Sequence, residues 1–437
     1  MTETLHIEKM SYGPDAIAHE SMGRTVFVRG AVPGDVVEVD ITAEHKSYAT
    51  AHTVKVLEPS PERVASEAPE LLESIAPWSI LAYSAQLEAK RANVVEALVR
   101  NGGIPRERAE ELVEDVRPSK RTYGYRNKLE LAACADDGSR FALGFTQAGS
   151  SVVRTVKACP LANRLIQRAP KALSGAIRYM QGAEDLGIYR VGVRASLRTK
   201  SVEVALWTPP SSFPRTFAAK MLEDALGVTS VVRVIAEPGS ERRVKRTEVL
   251  AGRGWWSEEL AGLSFAVSAP SFFQVNTAQA EVLVKLVLEM AAAEEGLFVA
   301  DVFAGVGTFS LPLAQAGCDV VAIELAGSAV SDLRRNADAN GLFVDAVCDD
   351  AKRALDQLEG AQVILVDPPR SGLDREVLEG MVEAAPERIV YVSCDPQTLS
   401  RDIARFEARG YQLERACPVD MFPQTYHVEC VCLLVSR

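Results

Sequence analysis

A cysteine at a strand-to-helix turn is the residue in this chain best placed to do chemistry. Arg388-Ile389-Val390-Tyr391-Val392 is β-branched and aromatic and reads as a buried strand. Ser393-Cys394-Asp395-Pro396 follows, with Asp395 suited to an N-cap and Pro396 to the first helical position. Cys394 would then stand beside the positive end of a helix. That environment is expected to lower a thiol pKa and favour the nucleophilic thiolate. A lone cysteine is more often an inert core residue, so the assignment depends on the motifs around it. Glu429 is a second candidate. Val428 and the run Val431-Cys432-Leu433-Leu434-Val435 put it in or beside a core strand, where an unpaired charge is costly.

The elements that must position these residues alternate. From about residue 266, apolar strand candidates run over Leu297 to Phe303, Asp319 to Glu324, Val344 to Cys348, Val363 to Val366 and Ile389 to Val392. Helical stretches such as Ser328 to Asn340 separate them. This pattern predicts an α/β fold with a doubly wound, mostly parallel sheet. The first strand leads into Asp301-Val302-Phe303-Ala304-Gly305-Val306-Gly307, whose glycines allow a tight turn against a ligand. The second ends in Glu324, placed to accept from ribose hydroxyls. The fourth ends in Asp367-Pro368-Pro369-Arg370. No Lys-Ser/Thr closes the glycine loop, so a phosphate-cradling loop does not fit. A nucleoside cofactor without a pyrophosphate does, and S-adenosylmethionine is such a cofactor.

Upstream the chain reads differently. Thr25 to Val28, Val36 to Ile41 and Ala49 to Leu57 are short strands broken by Val32-Pro33-Gly34-Asp35 and followed by Glu58-Pro59-Ser60-Pro61. They predict a small OB-like β-barrel over residues 1–60. Residues 61–265 form a middle α+β region that includes a helix over 83–100, with Leu87, Arg91, Val94, Val95 and Leu98 on one stripe. The doubly wound α/β domain then takes residues 266–437.

Charge separates these regions. The whole chain carries a net charge of -11. Residues 119–260 hold 23 basic and 13 acidic residues, a net of +10. Phosphate binding needs a local basic surface, so nucleic acid is not excluded. Arg190, Arg194 and Arg198 fall on one face of a predicted strand, as a phosphate backbone would need. The 437 residues exceed one ordinary core, and the eight cysteines are scattered rather than set as a disulfide framework. Met1 to His6 lacks the pattern of an export signal, and no apolar run is long enough for a membrane span. A cytoplasmic monomer without membrane association is expected.

The second half resembles the RNA (uracil-5-)-methyltransferases of class I, which use S-adenosylmethionine. The matching pieces are Phe272-Phe273-Gln274-Val275-Asn276, the loop from Asp301 to Gly307, Asp367-Pro368-Pro369-Arg370, Ser393-Cys394-Asp395-Pro396, and Met421 to Glu429. Tyr125-Arg126-Asn127-Lys128 is similar to a middle-domain motif of that family, and the barrel resembles a TRAM domain. The resemblance implies a Rossmann-like catalytic domain, Cys394 as nucleophile and Glu429 as proton acceptor. It implies cofactor contacts from Gln274, Phe303, Glu324 and Asp367, and RNA as partner, either 23S rRNA or, as runner-up, the T-loop of tRNA.

Some family members hold an iron–sulfur cluster through four cysteines. Glu67, Glu73 and Ala76 stand at three of those positions here and only Cys159 remains, so no cluster and no metal are expected. Gly13-Pro14-Asp15-Ala16 departs from the TRAM glycines, and Phe145 to Ser151 from a more aromatic and basic stretch. Three alternatives stay open: an RNA-folding module with secondary methylation, a small-molecule methyltransferase, and a cytosine-5 enzyme. The last typically has a Pro-Cys motif where this chain reads Pro368-Pro369-Arg370.

Overall fold

The computed structural model describes residues 2–437 apart from 137, 139, 148–149, 183 and 240–242. Ala148 and Gly149 of the Phe145–Ser151 stretch therefore lie outside the described residues. The N-terminal unit has six strands: β1 (Thr2–His6), β2 (Lys9–Met10), β3 (Ala16–His19), β4 (Thr25–Arg29), β5 (Val36–Glu44) and β6 (Tyr48–Glu58). Their order is β1-β5-β6-β4-β3-β2. The run from β1 to β2 pairs first with β5 and then with β3, which curls the sheet into a barrel. Buried and half-exposed side chains alternate along β4, as a one-sided sheet requires. Asp35, fully buried, clasps the barrel by accepting from the backbone N–H groups of Val32 and Ser60 and from Arg63.

The middle sheet joins β7 (Lys128–Ala135), β8 (Phe141–Thr146), β9 (Val153–Thr155), β10 (Arg190–Ala195), β11 (Val202–Thr208), β12 (Ser230–Ile235) and β13 (Arg246–Gly252). Helices α3 (Ala169–Gln181) and α4 (Arg215–Leu226) pack on it. The arginine stripe expected on β10 is not a solvated cationic face. Arg194 is 3% exposed and donates to the carbonyls of Ser268 and Ser271. Arg190 donates to Glu130 (2.7 Å) and lies over the Trp207 ring. Arg198 falls beyond the end of β10 and pairs with Glu281 (2.5 Å). The alternation was right, but this face docks on the start of the catalytic half instead of facing water.

The catalytic half follows a hairpin of β14 (Trp256–Leu260) and β15 (Leu263–Val267) and helix α5 (Thr277–Ala291). Its sheet contains β16 (Phe298–Val302), β17 (Asp319–Glu324), β18 (Asp345–Cys348), β19 (Val363–Val366), β20 (Arg388–Ser393), β21 (Tyr411–Val419) and β22 (Glu429–Ser436). The order is β18-β17-β16-β19-β20-β22-β21, with β22 antiparallel to both neighbours. Helices α6 (Ser310–Gln315) and α7 (Gly327–Asn340) join α5 on one face, packing on Val363, Leu365, Val390 and Val392. The intervening Ile364, Val366, Ile389 and Tyr391 point to the other face, against α8 (Arg375–Glu383) and α9 (Pro396–Glu407).

The helix expected over 83–100, and a second that follows it, lie within the 61–265 span but belong to that second face. Val94, Val95 and Leu98 of α1 (Tyr83–Arg100) and Ala109 of α2 (Arg106–Leu112) share its core. The buried stripe of α1 is also rotated from the expected one. Gln86 and Lys90 are fully buried, whereas Leu87 is only half-buried. Polar residues can face the core because each has a partner there. Lys90 Nζ donates to Asp420 Oδ1 (2.5 Å) and to the Phe422 carbonyl (3.0 Å). Gln86 Nε2 donates to Gln424 Oε1, and the Gln424 N–H donates back to Gln86 Oε1, each at 2.9 Å.

Removing Lys90 leaves a fully buried carboxylate without its cation. Lys90→Met is expected to destabilise the fold by about 3–5 kcal/mol, and a further Asp420→Asn to recover part of that loss. Thermal midpoints of the two variants check this; an unchanged midpoint in the single variant would contradict it.

Candidate active site

The ladder explains how residues far apart in sequence meet. Antiparallel β20 and β22 pair Ser393 with Cys430. The ladder ends there; Cys394 follows Ser393 and Glu429 precedes Cys430, and the Glu429 charge acts on the Cys394 thiol. Parallel β19 pairs Val366 with Tyr391, which sets Asp367 at the same end of the sheet. Asp395 caps α9 as expected, its side chain accepting from the N–H groups of Gln397 (2.8 Å) and Thr398 (3.4 Å), with Pro396 at the first position.

The charge environment differs from the expected one. Burial pushes the Cys394 thiol up to about 12, and Glu429 and Asp367 add to this, with Arg370 opposing. The helix N-terminus is outweighed by desolvation and two carboxylates. Glu429 is 3% exposed, and burial followed by repulsion from Asp367 raises it to about 8. Asp367 rises to about 7 through burial and then Asp301. Asp301 is fully buried and also raised to about 7 by desolvation. Its Oδ2 accepts from Ser310 Oγ (2.5 Å), whereas its Oδ1 has no hydrogen-bond partner among the described residues.

The glycine loop is bent as its residues require. Phe303, Gly305 and Gly307 have φ of 70°, 57° and 89°. The φ of 89° at Gly307 is a backbone conformation that other residues rarely adopt, and a Cβ there would also make Leu311 Cδ1 move. Glu324 ties this loop to β17, accepting from the Gly305 N–H (3.0 Å) and the Ala326 N–H (2.7 Å). Register sets Phe303, Glu324 and Asp367 in a row at the carboxyl ends of three adjacent strands. Phe303 lines a cleft of about 450 Å³ together with Asp350, Ala351, Lys352 and Pro369. Gln274 is buried in the loop before α5, its carbonyl accepting from Asn127 Nδ2 (2.9 Å). Among the described residues no hydrogen bond links it to the other three.

Three side chains of this region were not singled out by sequence reasoning. Arg370, inside a quoted motif but given no role, donates to His427 Nδ1 (2.9 Å) and is the cation nearest the carboxylates by its effect on them. His427 is pushed down to about 3 by burial and Arg370, so its imidazole stays neutral. Tyr12 of the barrel donates to the Cys394 carbonyl (3.3 Å), a contact no local pattern could reveal. Cys159 lies in the apolar core of the middle domain. Among the described residues no group of three or more ligating side chains is set to hold a metal.

An acid at the end of the second strand, a loop bent through positive φ at Phe303, Gly305 and Gly307, and further carboxylates beside it suit a nucleoside with a charged amino-acid arm. The fold and site define a class I, S-adenosylmethionine-dependent RNA methyltransferase. The model of the tRNA (uracil-5-)-methyltransferase family matches residues 82–348 and 351–437, and that of the TRAM domain matches residues 2–54. The chain belongs to this uracil-5-methyltransferase family and carries a TRAM domain. An uncharacterized RNA methyltransferase of Gloeobacter violaceus is 36% identical, covering 99% of this chain and 96% of the relative. One from Clostridium tetani is 33% identical over 94% of this chain and 91% of its own. The tRNA (uracil-54, C5)-methyltransferase of Pyrococcus abyssi, solved with S-adenosyl-L-homocysteine, shares the fold with a TM-score of 0.77, 24% identity and 99% of both chains covered.

A thiol at about 12 is almost wholly protonated near neutrality. Alkylation of Cys394 by iodoacetamide in the free protein should therefore rise about tenfold per pH unit from pH 7 to 9, without a plateau. Glu429→Gln removes a like charge that is present above about pH 8, so it should speed alkylation there. Peptide mass spectrometry reads both; a plateau near pH 7 would contradict the raised thiol.

Proposed function

We propose that this protein transfers a methyl group from S-adenosylmethionine to C5 of a specific uridine in RNA, with Cys394 as nucleophile and Glu429 as proton acceptor. The observation that carries this reading is the β20–β22 pairing of Ser393 with Cys430, the residues next to Cys394 and Glu429, together with the effect of the buried Glu429 on the thiol. Uracil C5 is a weak nucleophile. Addition of Cys394 Sγ to C6 moves the C5–C6 π electrons into an enolate and makes C5 reactive. Gln274, Phe303, Glu324 and Asp367 would hold S-adenosylmethionine, which supplies an electrophilic methyl. Glu429 then takes the C5 proton, the C5–C6 double bond re-forms, and the Cys394 thiolate leaves. A carboxyl near 8 is suited to that task, because it accepts a proton readily near the working pH.

RNA carrying 5-fluorouridine at the target should trap Cys394 covalently, since fluorine at C5 cannot leave as a proton. Cys394→Ser should abolish both adduct and turnover; full activity in that variant would overturn the nucleophile. Glu429→Gln should accumulate adduct on natural uridine, because addition precedes proton removal. An inactive variant without adduct would overturn the base.

Ribosomal RNA, 23S rRNA in particular, is the substrate of this reading, and the T-loop of tRNA is the second reading, since a tRNA enzyme shares the fold over 99% of both chains, barrel included. Nucleoside mass spectrometry of separated rRNA and tRNA from cells lacking the gene tests this. Loss of 5-methyluridine from tRNA alone would move the assignment to tRNA.

The phosphate path does not follow the β10 face through Arg190 and Arg194; of the three arginines, Arg198 alone lines the clefts that suit it. Two adjoining clefts of about 550 and 340 Å³ share Arg121, Gly124 and Leu197 as lining. Lys120, Arg121, Arg164 and Lys200 line them and make no ion pair among the described residues; Glu67 and Glu258 are the acids present. The floor of the smaller cleft includes Asn276, whose Nδ2 donates to the Met421 carbonyl (3.2 Å), so it adjoins the segment that leads to Glu429. Arg121→Ala and Arg164→Ala should each flatten the salt dependence of RNA binding by up to about one unit. Binding of S-adenosylmethionine should be unchanged. Wild-type salt slopes in both variants would place the RNA on another surface.

A further inference from the structure

The barrel reaches the candidate nucleophile through the loop between β2 and β3. Two groups outside the barrel strands hold that loop. Asn93 Nδ2 of α1 donates to the Ser11 carbonyl (3.2 Å), and Trp78 Nε1 donates to the Gly13 carbonyl (3.0 Å). Within the loop, Ser11 Oγ donates to the Asp15 carbonyl (2.5 Å), and Asp15 is paired with Arg29. Tyr12 is thereby fixed at the tip. Its hydroxyl donates to the Cys394 carbonyl at 3.3 Å, and its ring meets Tyr426 edge-on with centroids 5.9 Å apart. Burial, with Asp395 next, holds the phenol far above its ordinary pKa, so it remains a donor at any working pH.

The Cys394 carbonyl lies between two regular elements. The β20–β22 ladder ends at Ser393, and the first carbonyl used by α9 is that of Asp395, which accepts from the Leu399 N–H (3.1 Å). Among the described residues no backbone N–H reaches the Cys394 carbonyl. The Tyr12 hydroxyl fills that role. Fixing the peptide plane between Cys394 and Asp395 fixes the direction of the Cys394 Cα–Cβ bond, and so the line along which Sγ approaches a substrate. Sub-ångström placement of a nucleophile carries large rate effects.

We propose that Tyr12 is a positioning residue for the Cys394 nucleophile, so that the N-terminal barrel completes the active site from within the same chain. This rests on Cys394 being the nucleophile. The barrel is therefore more than an RNA-holding appendage: one of its side chains orders the turn on which the thiol stands.

Tyr12→Phe removes the hydroxyl and keeps the ring; Tyr12→Ala removes both. Each is made in the full chain. Tyr12→Phe should slow single-turnover methylation and 5-fluorouridine adduct formation about tenfold, the worth of one hydrogen bond to a reacting turn, with RNA and S-adenosylmethionine affinities unchanged. Tyr12→Ala should slow both further. It should also speed iodoacetamide alkylation of Cys394 in the free protein, because water then reaches the thiol. A wild-type rate in Tyr12→Phe would overturn the proposal. So would a loss in that variant confined to RNA affinity, which would make Tyr12 an RNA contact. Full methylation by Cys394→Ser would overturn the nucleophile reading instead. The alkylation of Tyr12→Ala against wild type would still decide whether Tyr12 covers the thiol.

Discussion

The site depends on how one irregular segment is fastened. Residues 420–427 run from the end of β21 to the start of β22 and deliver Glu429 to its place. The segment has no ladder of its own, and Gln424 adopts a φ of 70°, which a residue with a Cβ holds only under constraint. The constraint comes from side chains of other elements. Lys90 and Tyr83 of α1 bind Asp420, and Gln86 exchanges two hydrogen bonds with Gln424. Tyr125 donates to the Pro423 carbonyl, and Gln279 of α5 donates to the Asp420 carbonyl. A buried ion pair contributes little net stability, but losing half of it is severe. Its use here is to specify a single path for the chain leading to Glu429.

This fastening joins the domains. Helix α1 lies in sequence between the barrel and the middle sheet, yet it completes one face of the catalytic sheet. The same helix holds the barrel loop through Asn93. Barrel, helix and catalytic segment are thus one packed unit around the thiol. The middle sheet is tied in through Arg194, whose burial uses a cation to satisfy two carbonyls of the 268–271 segment.

Electrostatics within the unit favour protonated groups. Burial raises Asp301, Asp367 and Glu429, and after burial Glu324 raises Asp301, Asp301 raises Asp367 and Asp367 raises Glu429. Arg370 is the cation that opposes this at both Glu429 and Cys394. A charged sulfonium ligand would add a second positive charge and favour the ionised carboxylates. Binding of such a cofactor and readiness of the thiol and base are then coupled by charge alone.

The sequence by itself determined the alternating elements and the chemistry-bearing turns. The strand Asp319–Glu324, the strand Val363–Val366 and the helix Tyr83–Arg100 match their expected bounds, because period and capping are local properties. Short motifs put Phe303, Glu324, Asp367 and Cys394 at strand ends and Glu429 in or beside a core strand, and the fold has them there. Tertiary structure decided which faces meet. Alternation placed Arg190 and Arg194 on one side of a strand, but only packing showed that side to be covered. Helical spacing allowed several stripes on α1, and only the partners Asp420 and Gln424 selected the one with Gln86 and Lys90. The raised thiol belongs to the same class. Its pKa follows from desolvation and from two carboxylates, Asp367 and Glu429, brought from two other strands, and Tyr12 reaches its turn from a loop near the other end of the chain. Burial and long-range pairing are sums over the whole fold, so no local stretch of sequence contains them.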